Sequence, residues 1–244
     1  MNQLTFSRTP EIALNAPGKR SRSSAARRGE AIGASNPVTI GRTTPEDLPG
    51  VARVFAQSFP ESLLHIFGRI PENEVVTEAF RVCLDAEPDA FVVARANGEV
   101  VGYAFTPSNL TRVWWTALTR GYLFRWLWGW ISGRFAMGLH PVRVLVSNKV
   151  HFLRSALDRR YSAPARVLSI AVHPSQRGKG IARELLQRGL SYLEARGVDK
   201  VRLEVRPDNA PARAIYEKLG FKTVDTTYDS QGDWLIMVKE FRTK

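Results

Sequence analysis

The run SIAVHPSQRGKGIARELL, residues 169–186, holds the residues best spaced to do chemistry. An apolar strand ends at Val172, a turn containing Pro174 follows, and Arg177-Gly178-Lys179-Gly180-Ile181-Ala182 leads into a helix. Glycines at 178 and 180 allow backbone N–H groups to converge on one small concavity. The helix start adds unpaired N–H groups and the positive end of a dipole. The chemistry this suits is anion binding on the scale of a pyrophosphate, with Arg177, Lys179 and Arg183 adding charge. Two other phosphate motifs do not fit. A dinucleotide fingerprint needs a small residue at 183, which is Arg, and a P-loop needs Ser or Thr after Gly178-Lys179, where Gly180 stands.

The elements that must position this loop can be read along the chain. VTIGRTT (38–44) is a short strand. Thr44 and Pro45-Glu46-Asp47 open a helix whose apolar face is VARVFAQSF, and Pro60 ends it. SLLHIFG is expected to add a short helical turn, and the spacing of Val75, Val76, Phe80, Val82 and Cys83 predicts a helix over 72–85. AFVVARANGEVVGYAFTP is a hairpin turning at Ala96-Asn97-Gly98. After a long intervening stretch come a strand (165–172), a helix stopped by Gly197, a strand (199–205), a helix (210–220) and a final hairpin across Ser230-Gln231-Gly232. Strands alternating with helices in the second half predict an α/β sheet in which 165–172 and 199–205 lie side by side and parallel.

The pattern Arg177-x-x-Gly180-x-Ala182 after Ala171-Val172-His173-Pro174 resembles the pyrophosphate loop of the GNAT superfamily of acyl-CoA-dependent N-acyltransferases. One strand downstream, Asn209, Ala212, Tyr216, Gly220 and Phe221 resemble that superfamily's second signature. The resemblance is carried by 165–221 and extends over 38–107 and 222–241; it covers neither 1–36 nor most of 110–163. It implies a mixed central sheet flanked by helices, with its fourth and fifth strands parallel and splayed into a V that receives acetyl-CoA or another acyl-CoA. Backbone groups around Ile170, Ala171 and Val172 would pair with the pantetheine arm. Arg177, Gly178, Lys179, Gly180, Ile181 and Ala182 would hold the pyrophosphate. Asn209 would reach the pantetheine or, equally, cap the following helix. Tyr216 matches the general acid that protonates the leaving thiolate after direct attack by a primary amine. The base is left open among Glu204, Glu61, His65, His173 and a water chain. No cluster has metal-ligand spacing, so no metal is expected.

Charge locates the remaining question. Of a net +12, residues 1–36 hold six Lys/Arg against two acids and residues 110–160 hold nine against one; the rest is balanced at twenty of each sign. Residues 1–36, rich in Arg, Ser, Ala and Gly, read as a basic disordered tail, with some compositional similarity to an organelle transit peptide. Residues 37–244 read as one acyltransferase domain interrupted by an insertion, 110–163, between the third and fourth strands. The insertion opens with RVWWTALTRGYLFRWLWGWISGRF, which carries five of the six tryptophans and no acid. Arg120 and Arg125 would fall inside any membrane span, so two short helices broken at Gly121 or Gly129 are expected instead. Three roles stay open: a peripheral membrane anchor, a lid for an acceptor such as a lipid-linked or phosphorylated sugar, and a hairpin packed on the domain or on a second copy. The single cysteine fits a reducing compartment, hence a cytoplasmic protein, peripheral at the membrane if anchored. The alternative function is a non-catalytic module binding CoA or a basic surface-binding module for anionic lipid or nucleic acid, although no recognisable nucleic-acid fold accompanies the charge.

Overall fold

The computed structural model describes residues 37–133 and 163–241. The tail read over 1–36 and the insertion's residues 134–162 lie outside the described residues. Three strands build the first half: β1 (Thr39–Arg42), β2 (Phe91–Ala96) and β3 (Glu99–Phe105), each antiparallel to the next. The β2–β3 turn is Asn97-Gly98 with φ of 54° and 79°. Both residues tolerate positive φ, and that geometry matches the twist of the flanking strands.

Helices α1 (Leu48–Ser58), α2 (Pro60–Phe67) and α3 (Asn73–Ala86) cover one face of these strands. Their Leu48, Val51, Val54 and Phe80 pack with Phe91, Val93, Tyr103 and Phe105. Pro60 does end α1, and it also starts α2, where a missing N–H costs nothing because the first turn has no partner for it. The stretch after β3 begins as two helices, α4 (Leu110–Thr119) and α5 (Tyr122–Ile131). The break is at Gly121, with φ 72°, and Gly129 lies inside α5.

The strand expected over 165–172 is divided into β4 (Ala165–Arg166) and β5 (Ser169–Val172). β5 completes the first sheet, in the order β1-β2-β3-β5. β4 starts the second, whose order is β4-β6-β8-β7, with β6 at Lys200–Val205, β7 at Lys222–Asp229 and β8 at Gly232–Glu240. β4 and β6 are parallel, as the crossover requires. That crossover, α6 (Ile181–Ala195), ties the two sheets together. Its Ile181 and Leu185 pack with Val92, Ala94 and Val172, whereas Leu186, Leu190 and Leu193 pack with Val201, Leu203 and Val205. Close approach to the first sheet requires Gly189, since a Cβ there would lie 2.6 Å from Thr106. The last helix, α7 (Ala210–Lys218), contributes Tyr216 to the same core cluster as β6.

Candidate active site

The candidate site lies where the strand divides, at 167–168. Leu168 donates its N–H to the Phe105 carbonyl at 3.0 Å, yet the register partner of Phe105 is the next residue, Ser169. Two residues oppose one, which is a β-bulge, and a bulge bends and twists its strand. On the other side, Ala165 and Arg166 pair with Val201 and Arg202, Val167 donates to the Arg202 carbonyl at 2.9 Å, and the pairing stops. β5 stays with β3 as far as His173, whose N–H bonds the Val101 carbonyl. The two parallel strands therefore part beyond Val167 and leave a V.

Alternation along an antiparallel ladder decides which backbone groups face that V. With His173 bonded to Val101, Ala171 directs its N–H and C=O toward Tyr103, its register partner, and Ile170 and Val172 direct theirs away from β3. Ile170 and Val172 thus turn their backbone groups away from β3, whereas those of Ala171 are used by the sheet, and the Val172 carbonyl also accepts from the Arg177 side chain. At the closed end of the V, the Tyr103 hydroxyl and Ser169 Oγ lie 2.7 Å apart.

Gly178 and Gly180 have φ of 78° and 80°, a conformation that side chains other than glycine enter only at a cost, and a Cβ at either would meet nothing within 4 Å. Gly180 caps α6, and among the described residues no side-chain cap bonds the start of the helix. Backbone N–H groups at a helix start are the groups that anions bind. Arg177 folds back, its Nε donating to the Val172 carbonyl at 3.1 Å, and Lys179 Nζ donates to Gln176 Oε1 at 2.7 Å. Ile181 turns into the core and Ala182 is half-buried beside it.

Helix α7 places Tyr216 beside the V. Asn209 Oδ1 accepts from the Ala212 N–H at 3.2 Å, so its side chain acts as the helix cap. Gly220, with φ 89°, ends the helix, and the Phe221 N–H returns to the Tyr216 carbonyl. Tyr216 is buried, with its ring centroid 5.9 Å from that of Phe221. Its core cluster includes Ala165 and Val167, at the closed end of the V. Among the described residues its hydroxyl has no hydrogen-bond partner. Burial pushes the phenol's pKa up to about 12, so the hydroxyl is protonated at neutral pH.

The candidate bases scatter. Glu61 and His65 stand on α2, with His65 Nε2 2.7 Å from Ser230 Oγ. His173 Nδ1 lies 2.7 Å from Ser175 Oγ, as a turn histidine. Glu204 stands on β6, which borders the V. Its Oε1 accepts from Arg202 at 2.6 Å and Arg166 at 3.3 Å. Sequence reading misses these two arginines. They meet because the register sets residue 166 opposite 202, and the readable signal is only the alternation of Arg202 and Glu204 on one face of a strand. Among the described residues no group of three His, Cys, Asp or Glu is placed to hold a metal ion.

The first turn of α4 meets the start of β4, where the Leu110 N–H bonds the Pro164 carbonyl. Beyond that point α4 and α5 are held on α3. Asp85 accepts from Arg120 at 2.9 Å and from the Tyr122 hydroxyl at 2.7 Å, and Glu78 accepts from Arg125 at 2.9 Å.

A parallel strand pair that parts above a glycine-rich helix start, with a tyrosine-bearing helix beside it, defines the acyltransferase architecture that the two sequence signatures resemble. The chain belongs to the acetyltransferase (GNAT) family, whose model matches residues 55–221. Among curated relatives, a mycothiol acetyltransferase of Saccharomonospora viridis is 47% identical over 60 residues, covering 25% of this chain and 20% of that protein. The [ribosomal protein bS18]-alanine N-acetyltransferase of Escherichia coli is 42% identical over 79 residues, covering 30% of this chain and 53% of that one. The chain thus spans between a fifth and about half of these relatives' lengths. Among solved structures, PH1933 of Pyrococcus horikoshii OT3 aligns with a TM-score of 0.55 at 20% identity, over 85% of this chain and all of that one. The yncA protein of Salmonella typhimurium, solved with acetyl-CoA, aligns with a TM-score of 0.52 at 17% identity, over 85% and 95%. These structural likenesses describe the fold alone.

Proposed function

We propose that this chain is an N-acyltransferase that moves an acetyl group from acetyl-CoA to a primary amine. The observation that carries the reading is the parting of the parallel strands after Val167, with the backbone groups of Ile170 and Val172 facing the gap. When bound, acetyl-CoA supplies the thioester carbonyl that the amine attacks. Ile170 and Val172 hold the pantetheine arm as a partial extra strand. The 177–182 loop and the start of α6 hold the pyrophosphate through backbone N–H groups, with Arg177 and Lys179 adding charge. Asn209 acts indirectly, by fixing the start of α7.

Tyr216 is the general acid. Its hydroxyl keeps its proton because burial disfavours the phenolate, and that proton stabilises the charge developing on sulfur as the C–S bond breaks. The base stays open among Glu204, whose Oε1 is paired to Arg202 and Arg166, Glu61, His65, His173 and a water chain. The reading treats 37–244 as one acyltransferase domain and 110–163 as an insertion within it. An amine acceptor is supported by the name of a relative that is an alanine N-acetyltransferase.

The test is release of free thiol from acetyl-CoA with a panel of amines (amino acids, peptides, amino sugars, polyamines), with products identified by mass. Amine-dependent thiol release and a product heavier by one acetyl group are expected. Tight CoA binding without turnover of any amine would instead mark a non-catalytic CoA-binding module.

A further inference from the structure

We propose that the outward faces of α4 and α5 form a peripheral docking surface for a bilayer containing anionic lipid. The inference stands apart from the acyltransferase reading and does not need it. Each helix already has an apolar row packed inward: Val113 and Ala117 on α4, Tyr122 and Trp126 on α5, around Val82 of α3. Each has a second apolar row facing out. On α4, Trp114, Trp115 and Leu118 are 57%, 59% and 57% exposed. On α5, Phe124, Trp128 and Ile131 are 69%, 63% and 67% exposed. Their spacing puts each set on one side of its helix. A helix that is apolar on both sides calls for a second apolar environment, and exposed aromatic patches of this kind mark interaction surfaces.

Charge selects the occupant. Residues 110–160 carry nine Lys/Arg against one acid, and 1–36 carry six against two. Two copies of a chain of net charge +12 repel one another. An anionic bilayer is complementary, and tryptophan with arginine is the composition of interfacial anchors. The mode is lying on the bilayer rather than crossing it. Each helix has 10 residues, about 15 Å at 1.5 Å per residue, half of a hydrocarbon core. No helix among the described residues is long and apolar enough to cross a membrane. The ion pairs of Arg120 and Arg125 to Asp85 and Glu78 fix the inner rows to α3 and so leave the aromatic rows outward.

The experiment is co-sedimentation of the full chain with vesicles of phosphatidylcholine alone and of phosphatidylcholine mixed with phosphatidylglycerol. It is paired with size-exclusion light scattering and done for wild type and a Trp115→Gln/Phe124→Gln/Trp128→Gln variant. These three side chains are exposed, and circular dichroism verifies that the variant is folded. Wild type should partition onto the anionic vesicles, release as salt is raised, and lose about tenfold or more of its partitioning in the variant. Failure of wild type to sediment with anionic vesicles overturns the proposal, as does equal partitioning onto uncharged ones. Binding fully retained by the folded variant also overturns it, and shifts the contact to another basic segment. A wild-type dimer that the variant converts to monomer overturns it in favour of a second copy as the occupant.

Discussion

Replacing Tyr216 by Phe removes one oxygen and little else, because the ring's packing against Phe221 does not involve the hydroxyl. That hydroxyl has no hydrogen-bond partner among the described residues, so folding loses no bond. The variant should stay within about 1 kcal/mol of wild type, on either side. Catalysis should respond very differently. A positioned proton donor contributes about 10²- to 10⁴-fold, equivalent to about 3–5 kcal/mol at 1.36 kcal/mol per tenfold. The expected result is therefore a fall of that size in kcat, with the acetyl-CoA dissociation constant and the thermal midpoint almost unchanged. The pH profile adds a second readout. Burial raises the phenol pKa to about 12, so the proton stays on through the range in which the enzyme can be assayed. Any alkaline limb below about pH 11 then belongs to another group and should persist in the variant. The linkage has a definite sign: a raised pKa contributes stability that is present below the unfolded value of about 10 and lost as pH rises toward 12. The variant lacks this titrating group, so its stability should fall less steeply there. A kcat within about threefold of wild type, measured by thiol release at saturating amine, would refute the assignment of the acid, since even the smallest expected loss is about a hundredfold.

Two other substitutions test the elements that hold the site. Gly180→Ala forces a side chain into φ 80° with no clash nearby, so its cost is backbone strain of about 1–2 kcal/mol; the rise in thermal midpoint on adding acetyl-CoA should shrink or vanish. Gly189→Ala gains about 1 kcal/mol of helix propensity but sets a methyl 2.6 Å from the buried Thr106, and overpacking costs about 1–3 kcal/mol; net destabilisation in urea unfolding is expected, and a stabilised variant would show that α6 and β3 can separate freely.

What is legible in the sequence is what short range decides. Asn97-Gly98, the strand-to-helix glycines, Asn209 before Ala210-Pro211 and the stop at Gly220 each act within a few residues, and each appears where expected. What escapes depends on register and long-range pairing. The Arg166–Arg202–Glu204 cluster needs one strand's phase relative to another. Sequence narrows the break in the insertion to two glycines but does not decide between them. The decision rests with Asp85 and Glu78 on α3, whose partners lie 35 and 47 residues away in the chain. With Tyr122, Arg120 and Arg125 anchored there, the helix must restart after Gly121, and Gly129 is free to remain helical. Pro60 reads as a stop alone because its second role depends on a helix, α2, that contact with the final hairpin helps to hold: Ser62 donates to Gln231 at 2.9 Å.

The bulge at Leu168–Ser169 is a one-residue departure from a continuous strand. Before it, Arg166 bonds toward β3 and Val167 toward β6; after it, Ala171 bonds toward β3 and Ile170 faces the V. Removing Leu168 would therefore leave every other residue on its present side, since 166, 169 and 171 would alternate regularly with 167 and 170. Only the bend would be lost. Leu168 is 43% exposed, so little core goes with it. A straightened strand would keep pairing with β6 beyond Val167 and fill the gap with the sheet's own hydrogen bonds. The deletion should accordingly give a folded protein, by circular dichroism and cooperative unfolding, that no longer binds acetyl-CoA in calorimetry. A folded deletion variant that binds as tightly as wild type would mean that the bulge is not what opens the V, and that the twist of β5 against β6 suffices by itself.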